Sequence, residues 1–263
     1  MYMIEVRNLT KKYGDLVAVD DVSFTVSDGE VFAFLGPNGA GKSTTIKMLT
    51  TLLHPTSGTI TLNGIDPVKD PEAARRTFGI VFQDPSLDDD LTAWENMDLH
   101  GVLYDVPDEE RHARNEELLK FVDLWDRKDS YVKTFSGGMK RRLEIARGLL
   151  HKPKILFLDE PTTGLDTQTR SLMWDRLQEL NKTDRMTVFL TTHQMEEADK
   201  IATRIAIMDH GKIIATGTTD ELKKQTETAS LEEAFLELTG RDIRDEDASG
   251  STDRMRMMRR LHR

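Results

Sequence analysis

Short apolar runs separated by polar turns recur along the chain, and this pattern predicts buried strands. Loosely alternating residues at 3–9 and a β-branched run at 17–26 predict two strands near the start. Val31–Leu35 and residues 155–158 are continuous apolar runs of the length typical of fully buried strands. Residues 186–191 form another β-rich run. Runs of this kind, interspersed with helical stretches, predict an α/β fold.

The middle of the chain has a different periodicity. Between residues 84 and 150 the β-branched runs disappear, and apolar residues recur at helical spacing. Thr92, followed three residues later by Glu95, predicts a capped helix start. We expect one α/β domain at 1–225 that contains a helical subdomain at about 84–150. A C-terminal helical extension at 226–240 and a polar, basic tail at 241–263 complete the predicted organisation; we expect the tail to be disordered, or to contact a membrane or partner.

Composition narrows the classes of function. The 263 residues are 38% hydrophobic and 31% charged, enough to build a core in one large domain or two small ones. No apolar run approaches the roughly 18 residues that a membrane span needs. The chain has no cysteine, which makes the cytoplasm the expected compartment. The formal charge of -10 argues against a nucleic-acid partner, because such proteins usually present a basic surface.

The stretch after Val31–Leu35 carries the strongest chemical signal. It fits the pattern G-x-x-x-x-G-K-[S/T] and is followed by a segment at 44–53 that can form an amphipathic helix. Glycines let the backbone wrap an anion, and a helix N-terminus adds partial positive charge. We expect Lys42 to reach the β- and γ-phosphates and Ser43 to ligate Mg²⁺. The predicted triphosphate site comprises Gly36, Pro37, Asn38, Gly39, Ala40, Gly41, Lys42, Ser43 and Thr44.

Polar side chains at three other predicted strand ends are candidate site residues. Asp159 and Glu160 directly follow the apolar run at 155–158. Asp159 is a candidate Mg²⁺ ligand, because hard cations prefer oxygen, and Glu160 is a candidate to orient or deprotonate the attacking water. Gln83 ends a predicted strand, where it either lines a site or is a hydrated loop residue. His193 follows another strand and could contact a γ-phosphate or be structural.

Two further stretches each allow two interpretations. Tyr13 lies on a predicted loop, either as a packing residue or with its ring stacked on adenine. Ser136, Gly137 and Gly138 precede a predicted helix and form either an ordinary cap or a second anion site. The basic residues at 140–142 that follow could be no more than a solvated face.

Taken together and in this order, the motifs resemble those of the nucleotide-binding subunit of an ATP-binding-cassette transporter. The resemblance covers about residues 1–240. It implies a P-loop cassette with a mixed central sheet, an N-terminal antiparallel β subdomain and an inserted helical subdomain. It also implies the family's roles for single positions: Walker A loop at 36–44, adenine stacking by Tyr13, Mg²⁺ and membrane-domain contacts by Gln83, signature motif at Ser136, Gly137 and Gly138, Walker B strand ending at Asp159, catalytic carboxylate Glu160, D-loop Asp166 and switch histidine His193.

The resemblance further implies how such a subunit works. It would bind and hydrolyse ATP with Mg²⁺, and two copies would close head to tail around two ATP molecules. Each ATP would lie between residues 36–44 of one copy and residues 136–138 of the other. The cycle would drive a separate integral-membrane permease, which places the subunit at the cytoplasmic face of the cell membrane as a peripheral protein. No nucleic-acid partner is implied.

Finer features resemble the drug-exporter branch typified by daunorubicin-resistance ATPases. They are the stretch at 82–92 followed by Glu95 and Asn96, and the stretch at 230–240. This resemblance implies export of drugs, lipids or similar compounds. The signature motif departs from the commonest family form, because Met139 stands where a glutamine usually follows the glycines, and a thioether cannot donate the hydrogen bonds of an amide.

Two other classes of protein remain open at this stage. One is a soluble cassette ATPase of DNA repair or translation, although such proteins usually carry a long coiled coil or two cassettes in one chain. The other is a P-loop kinase or metabolic enzyme, which would need neither Ser136 with its two glycines nor His193.

Overall fold

The computed structural model describes residues 2–240, and within them the strands form two sheets. Strands β5, β6, β7, β3 and β8 run parallel in that order, and β9 pairs antiparallel with β8, so this six-stranded sheet is mixed. The second sheet is antiparallel, with β1 between β2 and β4. The strands are β1 (Tyr2–Tyr13), β2 (Leu16–Ser27), β3 (Val31–Leu35), β4 (Ser57–Leu62), β5 (Phe78–Val81), β6 (Ile155–Asp159), β7 (Thr187–Thr192), β8 (Arg204–Asp209) and β9 (Lys212–Gly217).

Nine α-helices occur in the described part of the chain. None of these helices is long and apolar enough to cross a bilayer. They are α1 (Lys42–Leu49), α2 (Pro71–Arg75), α3 (Ala93–Leu103), α4 (Asp108–Phe121), α5 (Gly137–Leu149), α6 (Thr167–Asp184), α7 (Met195–Ile201), α8 (Thr219–Thr226) and α9 (Leu231–Thr239).

The three helices α3, α4 and α5 follow β5 and precede β6, its parallel neighbour in the sheet. The chain therefore leaves and re-enters the sheet at adjacent strands. The first of these helices begins as the sequence predicts, because Thr92 accepts a hydrogen bond from the Glu95 amide while the Glu95 side chain accepts one from the Thr92 amide. Apolar side chains of all three helices, such as Met97, Leu119 and Leu143, join one buried cluster with the main sheet.

Phenylalanine side chains hold the two sheets together. The ring of Phe24 on β2 lies 5.0 Å from that of Phe34 and 5.6 Å from that of Phe32, centroid to centroid. Phe189 on β7 lies 5.8 Å from Phe24 and 4.9 Å from Phe34. Aromatic pairs at these separations stabilise beyond the area they bury, by about 0.5–1.5 kcal/mol each. The antiparallel sheet and the main sheet therefore share one core.

The α/β class, the mixed sheet and the antiparallel sheet confirm the expected fold class, while several element bounds differ from prediction. The first strand extends beyond residue 9 to Tyr13, because β1 stays paired with β2 across several shifts of register. The first helix begins at Lys42, two residues before its predicted start. The predicted tail at 241–263 lies outside the described residues.

Candidate functional site

Four neighbouring parallel strands each end at a residue that the sequence singles out. The phosphate loop (residues 36–44) follows β3, Asp159 ends β6 and Glu160 follows it, His193 follows β7, and Gln83 lies just after β5. In an α/β sheet, ligands bind at the carboxyl ends of parallel strands. The fold therefore brings these segments to one edge.

The phosphate loop closes tightly against the rest of the domain. Gly41 has φ 104°, a conformation that L side chains rarely adopt, and its Cβ position would lie 2.5 Å from the Ala18 carbonyl oxygen. Helix α1 begins at the next residue, so its free N–H groups face the loop. This backbone cradle has the form that binds phosphate in other proteins.

Lys42 is buried inside the phosphate loop and is only 4% exposed. Its Nζ donates to the carbonyl oxygens of Gly36 at 2.8 Å and Pro37 at 3.1 Å. Burial lowers the pKa of Lys42, while the carboxylates of Glu160 and Asp159 oppose that shift. The ammonium group is therefore held where it would form an ion pair with a phosphate bound in the loop.

Ser43 and Asp159 lie side by side at the foot of the loop. The Ser43 hydroxyl donates to Asp159 Oδ1 at 3.2 Å, and the Thr191 hydroxyl donates to the same oxygen at 2.6 Å. Hydroxyl and carboxylate oxygens are the ligands that Mg²⁺ prefers. This pair fits the predicted metal ligands, and Gln83 lines the same cleft.

Glu160 lies between the predicted lysine and the predicted histidine. Its Oε1 is 3.6 Å from Lys42 Nζ, and its Oε2 is 3.3 Å from His193 Nδ1. Its backbone has φ 46°, the left-handed region that is uncommon for residues other than glycine. The Glu160 amide donates to both the carbonyl and hydroxyl oxygens of Thr191 at 3.1 Å. The structure thus brings Lys42, Glu160 and His193 together around one carboxylate.

A cleft of about 910 Å³ opens above the loop. Tyr13, half exposed, lies along it, with Lys11 Nζ 5.2 Å from its ring centroid. Sequence reasoning missed several lining residues, because they come from β2 and from the β8–β9 hairpin rather than from any motif. The cleft is lined by Tyr13, Leu16, Val17, Ala18, Asn38, Gly39, Ala40, Gly41, Lys42, Ser43, Thr44, Gln83, Glu160, His210 and Gly211.

The signature segment (residues 136–138) does not line this cleft. Ser136 caps helix α5, and its hydroxyl accepts a hydrogen bond from the Met139 amide at 3.3 Å. The Gly137 backbone borders open space, because a Cβ there would meet no atom within 4 Å. Close by, Asp166 caps α6 by accepting from the Thr169 amide at 2.9 Å, and this hydrogen bond lowers the Asp166 pKa. The structure therefore keeps the second predicted anion site apart from the first.

The interpretation of residues 140–142 as a solvated face is wrong for one of its members. Arg141 is only 6% exposed, and its guanidinium donates to backbone carbonyls next to the cleft. In the structure, residues 141, 145 and 148 lie on one helical face, and all three are buried. A run of three basic residues does not reveal which of them is buried, because adjacent side chains on a helix point about 100° apart.

Comparisons with known proteins agree with this geometry. A family model described as ABC transporter matches residues 19–163. Over 223 residues the chain is 44% identical to a daunorubicin resistance ATP-binding protein of Streptomyces coeruleorubidus, a match that covers 85% of this chain and 70% of the relative. It is 45% identical over 214 residues to a Nod factor export ATP-binding protein of Burkholderia lata, covering 81% and 70%.

A solved structure adds information on assembly. It is titled as a dimeric post-hydrolysis state of an ATP-binding cassette bound to ADP and phosphate, and it matches with a TM-score of 0.75 at 31% identity, covering 82% of this chain and 98% of that one. The relatives are ATP-binding proteins named for resistance or export, so the alternatives of a repair or translation ATPase and of a kinase are not favoured.

Proposed function

We propose roles in ATP binding and hydrolysis for single residues of this chain, which belongs to the ABC transporter family and is an ATP-binding, ATP-hydrolysing subunit of it. Lys42 and the phosphate loop hold the triphosphate, and Glu160 with His193 orients the water for in-line attack. Ser43, Asp159 and Gln83 would hold Mg²⁺, which neutralises phosphate charge when bound. The ring of Tyr13 stacks on the adenine base. The observation that supports this most is the Glu160 carboxylate lying between Lys42 and His193.

The second part of the proposal concerns two copies of the chain. Each ATP would lie between the phosphate loop of one copy and Ser136, Gly137 and Gly138 of the other. Support comes from the separation of the signature segment from the cleft and from the open space at Gly137, which leave this helix start to gain an anion from elsewhere. The dimeric cassette to which the chain is similar has the matching stoichiometry.

One substitution tests both parts. Glu160→Gln keeps the size of the side chain and removes its basicity, so hydrolysis should fall by about 10²–10⁴-fold while ATP binding persists. The variant should then form a stable dimer in the presence of ATP, measured by size-exclusion chromatography with light scattering. Glu109→Gln, an exposed change on α4, serves as the matched control and should behave as the native chain. Native-rate hydrolysis by Glu160→Gln would refute the role given to Glu160, and a monomer at saturating ATP would refute the shared site.

The partner that the cycle drives is proposed to be a separate membrane permease at the cytoplasmic face of the membrane. Helix α3 presents Leu99, Val102 and Leu103 on one face, and these side chains are 50%, 51% and 70% exposed. Exposed apolar residues at this helical spacing are typical of a surface that another protein covers. Leu103→Asp should abolish copurification with a six-span membrane protein encoded in the neighbouring reading frame, whereas Leu236→Asp on α9 should not. Copurification retained by Leu103→Asp would contradict the surface.

The cargo is proposed to be an exported drug, lipid or similar compound. Support comes from the two relatives, one named for daunorubicin resistance and one for Nod factor export. Expression of the chain with its permease should raise the drug concentration that cells tolerate, and the Glu160→Gln chain should remove that gain. Equal tolerance with the native and the substituted chain would contradict export.

A further inference from the structure

Arg141 joins helix α5 to the loop that carries Glu160. Its Nε donates to the Pro161 carbonyl at 2.6 Å, and its Nη2 donates to the carbonyls of Glu160 at 3.0 Å and Asp159 at 3.2 Å. Three consecutive carbonyl oxygens thus accept from one guanidinium. Only the planar fork of arginine can reach all of them at once.

The other side of the same guanidinium holds the strand end before Gln83. Nη1 donates to the Phe82 carbonyl and lies 3.2 Å from Glu144 Oε2. Glu144 is 1% exposed, and its Oε1 accepts from the Ser86 amide at 2.7 Å. A buried charge needs such a full set of partners to offset its desolvation. Arg141 therefore lies at the junction of α5, the Gln83 loop and the Glu160 loop.

The backbone of Glu160, which Arg141 holds, has an unfavourable conformation. Glu160 has φ 46°, and a non-glycine residue persists in such a conformation only when its surroundings fix it. Thr191 holds the amide of Glu160 from the β7 side, and Arg141 holds its carbonyl from the α5 side. Removal of the guanidinium releases the second of these two restraints.

We propose that Arg141 is a positioning residue for ATP hydrolysis, which fixes the Glu160 backbone so that its carboxylate faces Lys42 and His193. Arg141 bonds backbone carbonyls and Glu144, so it acts through Glu160 rather than on the substrate. It also ties the carboxylate to the helix whose start carries Ser136. This inference rests on the proposed role of Glu160 in hydrolysis.

The test uses the full chain and steady-state ATP hydrolysis. Arg141→Ala should lower kcat by about a hundredfold, the loss expected when a reacting group is misplaced by about 1 Å. KM for ATP should stay within about threefold of native, because Arg141 does not line the cleft. Arg141→Lys keeps the charge and most of the buried stem but not the fork, so it should fold and show an intermediate kcat. Native kcat in both variants would overturn the proposal.

A matched control separates positioning from simple stabilisation. Arg204 donates to the Thr25 carbonyl and to Glu30, at 2.7 Å for the closer Glu30 oxygen, and lies at the start of β8, the opposite end of the sheet from the site. Arg204→Ala should lower the midpoint of thermal unfolding and leave kcat unchanged when assayed below that midpoint. An equal loss of kcat in Arg204→Ala would overturn the positioning role.

A double-mutant cycle separates this inference from the proposed function. If Arg141 acts through Glu160, the Arg141→Lys, Glu160→Gln chain should hydrolyse ATP in a single turnover no more slowly than Glu160→Gln alone. Effects that multiply would show that Arg141 acts independently of Glu160 and would overturn the inference while leaving the proposed function intact. Native turnover in Glu160→Gln alone would instead overturn the proposed function.

Discussion

Within residues 2–240, two helix starts are rich in glycine, those of α1 and α5, and they differ in what surrounds them. The start of α1 lies within a cleft, with buried Lys42 as its first residue and the carboxylates of Asp159 and Glu160 beside it. The start of α5 has a capping serine, open space at Gly137 and no part in that cleft. Both offer free N–H groups, since both are helix N-termini.

The difference teaches that exposed N–H groups alone do not make a binding site. Under the proposed function, one protomer supplies the charge, the candidate metal ligands and the cleft at α1, so this site would bind a nucleotide by itself. At α5 the same protomer supplies only hydrogen-bond donors, and an anion there gains little unless another surface brings it. Under the proposed function, α1 determines whether ATP binds, and α5 determines whether two copies associate.

Among substitutions at the two helix starts, the largest expected effect comes from removing the charge of Lys42 at the start of α1. Lys42→Ala should lower ATP hydrolysis by about 10²–10³-fold, the usual cost of deleting one group that stabilises developing negative charge. The measurement is phosphate release at saturating ATP. Lys47→Ala, an exposed lysine on the same helix, is the control and should retain native turnover. Unchanged hydrolysis in Lys42→Ala would mean that α1 is not the phosphate site.

A charge placed at the start of α5 should affect association and spare nucleotide binding. The Cβ of Gly137→Asp would meet no atom within 4 Å, and an acid is favourable at a helix N-terminus, so the variant should fold normally. If this helix start meets the ATP of the partner copy, the added carboxylate would repel the phosphate. ATP-dependent dimerisation, measured in the Glu160→Gln background, should therefore weaken at least about tenfold.

The matched control adds the same charge to another helix start. Thr219→Asp, at the first residue of α8, should leave dimerisation unchanged. Dimers that form equally well with Gly137→Asp would show that α5 does not meet the partner's ATP, and the contrast between the two helix starts would lose its functional meaning.

A smaller effect is expected at the base end of the α1 cleft. Tyr13→Ala should weaken ATP binding about fivefold, since an aromatic stack contributes about 0.5–1.5 kcal/mol. Tyr13→Phe should bind as the native chain, and Tyr2→Ala, an exposed tyrosine at the far end of β1, should have no effect. Titration with a fluorescent ATP analogue measures all three. Native affinity in Tyr13→Ala would assign the ring to packing alone.

The smallest effect should come from Met139, which replaces the common glutamine. Its side chain is partly buried against the core cluster, so it already has apolar partners. Met139→Gln should change dimer affinity by no more than about threefold, because the amide would add one hydrogen bond near the lower end of the usual net range, about 0.5 kcal/mol. A tenfold gain would show that the missing amide limits association.

Much of the fold was predictable because its signals are local. The run at Val31–Leu35, the capping box at Thr92 and the apolar residues before Asp159 depend only on nearby residues, and each appears as expected. Extension of β1 as far as Tyr13 was not predictable, because it depends on pairing with β2 through several register shifts.

The site was predictable where residues are contiguous and only partly elsewhere. The phosphate loop and the Asp159–Glu160 pair could be read directly from the chain, whereas the 3.3 Å contact of Glu160 with His193 depends on β6 and β7 being neighbours in the sheet, which no local pattern predicts. Arg141 was missed, because its burial depends on how α5 docks against the strands. Leu16 and Val17 in the cleft belong to no motif and were missed for the same kind of reason.

The cluster of phenylalanines shared by the two sheets has a mechanical consequence. Because Phe24 interlocks with Phe32 and Phe34, the strand pair that carries Tyr13 cannot slide against the strand that leads into the phosphate loop without breaking a close-packed core. A single rigid unit would then hold both the adenine end and the triphosphate end of a bound nucleotide. Arg141 links the three helices between β5 and β6 to this unit, so a movement of those helices would act on the Glu160 loop through its hydrogen bonds.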